Sequence, residues 1–90
     1  MSEMIEIKRV SLDEAKQQGI LKWGIWEKEV SEFPWYYEIT EVSYILEGEI
    51  EVTPDDGEMV QIKPGDLVTF KAGLSCTWKV NKAVRKHYSF

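Results

Sequence analysis

The sequence is poor in the residues that most often carry chemistry: 90 residues hold one cysteine, Cys76, and one histidine, His87. A lone cysteine cannot close an intrachain disulfide, which agrees with a reducing compartment, and it excludes a zinc site built from several thiolates. Long apolar runs are missing too, and none approaches the ~20 residues of a membrane helix. The first ten residues, MSEMIEIKRV, place acids where a secretory signal carries positive charge, so the expected location is the cytoplasm. After Asp66 there is no acid at all, and the formal net charge of the whole chain is −5. Wrapping a phosphate backbone needs a basic surface, so a nucleic-acid partner is not expected.

What is present is a soluble globular composition, 43% hydrophobic with 30% charged residues, in a length that makes one domain, residues 1–90. Lys71, Lys79, Lys82, Arg85 and Lys86 form a basic C-terminal portion, whereas all sixteen acids precede Leu67. That separation implies strands of opposite sign lying side by side, within the chain or across a dimer.

Ile5 to Val10 reads as a weak edge strand. Ser11 and Glu14 then form a capping box and Gly19 supplies a stop, which predicts a short helix over Leu12 to Gln18. Next comes a crowd of aromatics: Trp23, Trp26, Phe33, Trp35, Tyr36 and Tyr37. Ile25, Glu27 and Glu29 alternate with Trp26, Lys28 and Val30, a strand with one apolar and one charged face. Pro34 favours an edge or a strand start at its position. From Glu41 to Gly73 short strands follow, separated by Gly48, by the turn Pro54-Asp55-Asp56-Gly57 and by Lys63-Pro64-Gly65-Asp66. Ser75–Val80 and Ala83–Phe90 complete an all-β chain.

The spacings inside Glu41–Gly73 carry a resemblance. Glu41 is followed by six residues and Gly48, and Gly65 by five residues and then Lys71, Ala72 and Gly73. These resemble the two signatures of the cupin superfamily, His-x-His, three or four residues, Glu, six residues, Gly, and Gly, five residues, Pro-x-Gly, two residues, His. Glu41, Gly48, Gly65 and Gly73 fit. Trp35 and Tyr37, or with the longer spacing Pro34 and Tyr36, stand where the paired histidines would be. Lys71 replaces the proline and Cys76 the last histidine. From about Trp23 to Tyr88 the pattern is similar to small single-domain cupins related to the cupin unit of ureidoglycine aminohydrolase. The resemblance implies a small cupin (jelly-roll) β-barrel with one short N-terminal helix, and a homodimer.

On that alignment Trp35, Tyr37, Glu41 and Cys76 converge inside the barrel, with Ser43 and Trp78 beside them on inward faces. Dense aromatics either fill the core or wall a ligand cavity, and both readings stand. No metal is favoured as cofactor, because a carboxylate, a thiol and a phenol make a poor divalent site; the only richer set adds His87 to Glu41 and Cys76. Cys76 as a nucleophile would need a cation or base nearby. Glu41, desolvated among Trp35, Tyr37 and Trp78, suits a general acid or base or a grip on a ligand's hydroxyl or amine; alternatively it hydrogen-bonds Tyr37 and serves structure alone. Three functions follow: a cupin holding a small polar metabolite through Trp35, Tyr37, Glu41, Ser43, Cys76 and Trp78; a metal-dependent or acid–base enzyme similar to ureidoglycine aminohydrolase; or a structural dimer with a filled barrel.

Overall fold

The structure, a computed structural model, describes residues 4–90; Met1 to Glu3 of the N-terminal stretch lie outside the described residues. In chain order it holds β1 (Ile5–Arg9), α1 (Leu12–Gln17), a 3₁₀ turn (Ile20–Lys22), β2 (Gly24–Lys28), β3 (Ser31–Tyr36), β4 (Glu41–Pro54), β5 (Val60–Ile62), β6 (Asp66–Phe70) and β7 (Ser75–Ser89). All pairings are antiparallel, in the order β1-β6-β4-β7-β2, with β3 also on β7 and β5 on β4. This is the small all-β cupin barrel with one short helix that the signatures imply. Among the described residues no helix is long and apolar enough to cross a membrane.

Local chemistry explains the boundaries. Ser11 Oγ accepts from the Glu14 N–H at 3.1 Å, one half of the capping box. The other half is absent: the Glu14 carboxylate accepts from Gln18 Nε2 instead, and Gln18 caps the helix one residue earlier than expected. In the Lys63–Asp66 turn, buried Asp66 accepts from the Lys63 N–H, and Arg9 Nη1 donates to Pro64 O at 2.8 Å and to Asp66 at 2.9 Å. That arginine staples β1 to the start of β6. Pro34 sits inside β3, which pairs only with β7, so the missing N–H faces the strand's free edge.

Two expected breaks are not breaks. β4 runs through Gly48 and β7 runs through Asn81, each as one long strand. Their pairing shifts register between Ile45 and Ile50, the mark of β-bulges. Gly48 has φ 109°, and a Cβ there would meet the Ala83 carbonyl oxygen at 2.7 Å, so only glycine fits. The bulge changes which residues face inward. Before it the buried set is Glu41, Ser43 and Ile45; after it, Ile50, Val52 and Pro54. Ile45 of the first set and Ile50 and Val52 of the second join one core with Val68, Phe70, Trp78 and Val80, while Tyr44 faces a second, smaller core with Val10, Ala15 and Ile20. Trp23 packs against that second core, and Val30 is exposed at the β2–β3 turn, so the apolar face read over Ile25 to Val30 is shorter than its alternation suggests.

The charge separation resolves within the chain. β4 brings Glu47, Glu49 and Glu51 opposite Arg85, Lys82 and Lys79 of β7. Lys82 to Glu49 closes to 3.5 Å and Lys71 to Glu6 to 3.0 Å, exposed pairs worth about 0–1 kcal/mol each. A fourth pair is of another kind.

Candidate functional site

Three residues meet at the inner end of β4 and β7. Glu41 opens β4, Ser43 follows it on the same face, and Lys86 comes from the far half of β7, opposite Ile45. Lys86 Nζ donates to Glu41 Oε2 at 2.7 Å and to Ser43 Oγ at 2.9 Å, and Ser43 Oγ donates to the same Glu41 oxygen at 2.8 Å. Only 5% of the lysine side chain and 11% of the glutamate side chain remain exposed. Around the ammonium stand three ring faces, with Trp78 at 5.0 Å, Trp26 at 5.1 Å and Phe70 at 5.7 Å from Nζ to centroid. An ammonium so enclosed is held by charge, hydrogen bonds and ring quadrupoles in place of water. Burial still pushes the Lys86 pKa below its ordinary value, and Glu41 pulls it part of the way back.

This cluster lies against a cavity of about 250 Å³. Glu41, Lys86, Trp78 and Tyr37 form its buried part, Trp26 and Phe33 its half-buried walls, and Trp35, Tyr88 and Phe90 the remaining sides toward solvent. The rings brace one another: Tyr37 stacks on Phe70 at 4.7 Å, Phe33 on Trp78 at 6.1 Å, and Trp26 meets Trp78 edge-on at 5.8 Å. Tyr88 crosses directly over Gly24, where a Cβ would come within 2.9 Å of its ring, so the absence of a side chain there lets the ring lie close to β2. Trp35, 48% exposed, is edge-on to both Phe33 and Tyr37. The dense aromatics therefore do both things that their number allowed, packing on one side and walling a cavity on the other.

Two polar atoms of this wall bear on its chemistry. The Trp78 indole N–H is buried without an acceptor in hydrogen-bonding geometry, although the Tyr37 phenol lies near enough to feel it. That phenol is held protonated far above the ordinary tyrosine range, first by burial and then by the charge of Glu41.

Of the residues singled out in the sequence, Trp35, Tyr37, Glu41 and Trp78 line the cavity together. Ser43 lies behind Glu41, and Cys76 does not reach the cavity surface: its thiol points at the Trp35 carbonyl oxygen at 3.5 Å. Burial pushes the Cys76 thiol up to about 11, with Asp55 adding to it, the opposite of an activated nucleophile. Glu41 takes Lys86 and Ser43 as partners, and the expected hydrogen bond to Tyr37 does not form. His87 follows Lys86 on β7 and so faces the other way, its Nδ1 3.1 Å from the Trp23 carbonyl oxygen.

Glu41, Cys76 and His87 are thus not gathered, and among the described residues no group of three His, Cys, Asp or Glu side chains forms a ligand set. The carboxylate that the cupin signature aligns with a metal ligand here carries an ammonium. These residues do not fit a divalent cation.

Sequence reasoning missed Lys86, Trp26, Phe33, Tyr88 and Phe90. Lys86 was counted only as surface charge, yet Val84, Lys86 and Tyr88 alternate with Arg85 and His87, which places a lysine on an inward face. A buried Glu41 also demanded a cation, and only the C-terminal strands were rich in them.

Comparison with known proteins agrees with the geometry. Residues 15–88 match the EutQ-like cupin domain family. A DUF861 family protein from Thermotoga maritima is 52% identical, with a TM-score of 0.90 over 96% of this chain and 98% of that one. A protein of unknown function from the DUF861 family of Pseudomonas syringae pv. tomato is 27% identical, with a TM-score of 0.66 over 72% of this chain and 28% of its own. Ethanolamine utilization protein Q from Salmonella typhimurium shares the fold, with 24% identity and a TM-score of 0.64 over 93% of this chain and 66% of that one. No curated protein matches. The inward glutamate at the head of β4, the bulge glycine seven residues on and the match over residues 15–88 make this chain a member of the EutQ-like cupin family.

Proposed function

We propose that this cupin binds a small polar metabolite with one flat ring face, in the aromatic cavity and without a metal, in the cytoplasm. The observation that carries the reading is an aromatic cavity whose buried end presents a Glu41–Lys86 pair and the unpartnered Trp78 N–H. Ring faces at Trp26, Phe33 and Trp78 take an apolar surface, and the polar cluster fixes a hydroxyl, amine or carbonyl. At about 250 Å³ the space lies just below the range typical of drug-sized ligands, which suits a single-ring compound such as a pyranose or a nitrogen heterocycle. Exposed Ile25, Val30, Tyr36 and Ile39 on the β2–β3 side support a homodimer there.

The test is a titration of intrinsic tryptophan fluorescence with a panel of cyclic polyols and nitrogen heterocycles, in wild type and Trp78→Phe, alongside elemental analysis of untagged protein purified without chelator. Saturable quenching that weakens in Trp78→Phe supports the reading. Near-stoichiometric metal that Glu41→Gln removes, or no quenching across the panel, overturns it.

One feature favours a second reading, an acid–base enzyme similar to ureidoglycine aminohydrolase: Lys86 Nζ and Glu41 Oε2, 2.7 Å apart, can pass a proton between them. Ammonia release from ureidoglycine, lost in Glu41→Gln, would favour it.

A further inference from the structure

We infer that Lys86 is the nucleophile of a covalent site, forming a reversible imine with small ring-bearing aldehydes that enter the aromatic cavity. This rests on the proposed role of the cavity in ligand binding and adds a reaction to it. A lysine becomes a nucleophile when an apolar enclosure disfavours its charge and a neighbouring group can take its proton. Lys86 has both. Its side chain is 95% withdrawn from solvent yet forms part of the cavity lining, between the faces of Trp26, Phe70 and Trp78. Glu41 Oε2 lies 2.7 Å from Nζ, and Ser43 Oγ, 2.9 Å from Nζ and 2.8 Å from that oxygen, keeps both in place. Of the three ammonium hydrogens these two acceptors take two. The downward shift of the lysine by burial acts in the same direction.

The steps balance within these residues. Nζ passes one proton to Glu41, and its lone pair attacks the aldehyde carbon as the C=O π pair moves to oxygen. Glu41 returns the proton to that oxygen, giving a carbinolamine with a protonated nitrogen. Glu41 then takes a second proton from nitrogen and delivers it to the hydroxyl, which leaves as water while nitrogen forms the C=N bond. The products are a protonated imine on Lys86, an ionised Glu41 and one water; no oxidant or reductant is consumed. The walls select an aldehyde carried on a flat ring, since Trp26 and Trp78 face the reacting nitrogen and Phe33 lines the same cavity.

The experiment uses the full chain at neutral pH with benzaldehyde and cyanoborohydride, followed by intact mass and peptide mapping. In parallel, benzyl alcohol, which has the same ring and no carbonyl, is titrated against tryptophan fluorescence. The expected result is one benzyl adduct, on Lys86, formed before exposed lysines such as Lys82 react, lost in Lys86→Arg and slowed in Glu41→Gln, together with saturable quenching of the wild type by benzyl alcohol. Quenching by benzyl alcohol with no adduct on Lys86, or adducts spread evenly over the lysines, overturns the covalent proposal and leaves the binding cavity standing. Neither quenching nor adduct overturns both. Mapping on wild type decides the matter even where Lys86→Arg does not fold.

Discussion

Replacing Lys86 with Met keeps most of the volume of the side chain and leaves Glu41 in an aromatic enclosure with Ser43 as its one remaining partner. Breaking a buried pair from one side strands a charge, at a cost of about 3–5 kcal/mol. A domain of this length is stable by roughly 5–13 kcal/mol, so the loss is a large part of the total. With a urea m-value near ~1 kcal/mol per molar, the unfolding midpoint falls by about 3 M or more. The double variant Glu41→Leu with Lys86→Met removes both charges and restores an apolar contact. It leaves only the Ser43 hydroxyl without an acceptor, so it should lie within about 1–2 kcal/mol of wild type. Urea unfolding of wild type, Glu41→Leu, Lys86→Met and the double variant at neutral pH gives the coupling directly. If Lys86→Met costs under about 1 kcal/mol, or if the two substitutions simply add, the pair is not the enclosed unit described above, and the chemistry assigned to it loses its basis.

Two further outcomes follow from the same structure. Gly48→Ala places a methyl group at 2.7 Å from the Ala83 oxygen with φ at 109°, and should lower stability by about 1–3 kcal/mol or more in the same urea assay; a loss below ~0.5 kcal/mol would show that the bulge relaxes. Cys76 titrates near 9.0 when unfolded and about 11 when folded, so its contribution is complete below pH 9 and is lost as pH rises through about 11. Lys86 acts with the opposite sign, because its lowered pKa makes stability rise with pH up to the unfolded value of 10.5. Thermal melts from pH 8 to 11 should therefore show a steeper alkaline fall in wild type than in Cys76→Ser, and equal slopes would refute the buried thiol's part.

The barrel was legible because glycine and proline turns punctuate alternating strands, and Glu41 was legible because signature spacing tied it to Gly48 and Gly65. The turn at Lys63–Asp66 and the stop at Gly19 also stand where their residues demand. Lys86 was not legible by the same route. Its partner lies 45 positions away, and its inward phase, which continues that of Cys76 and Trp78 along β7, was hidden once Ser75–Val80 and Ala83–Phe90 were read as two separate strands. Gly48 was visible as a glycine, but its effect was read as a gap between two strands, when it is a change of face within one. His87 failed as a candidate ligand for the same reason of phase, one residue from the lysine that mattered.

The position of β7 in the chain also bears on how the protein is made. β7 pairs with β2, β3 and β4, and it follows all three in sequence. At about 5–20 residues per second, β4 waits roughly 2–7 s on the ribosome between its own completion at Pro54 and the synthesis of Ser89. Through that interval a fourteen-residue strand rich in apolar residues has no β7 edge to pair with. The glutamates at 47, 49 and 51, which later face the basic residues of β7, then serve a second purpose: they keep nascent strands on neighbouring ribosomes from pairing with each other.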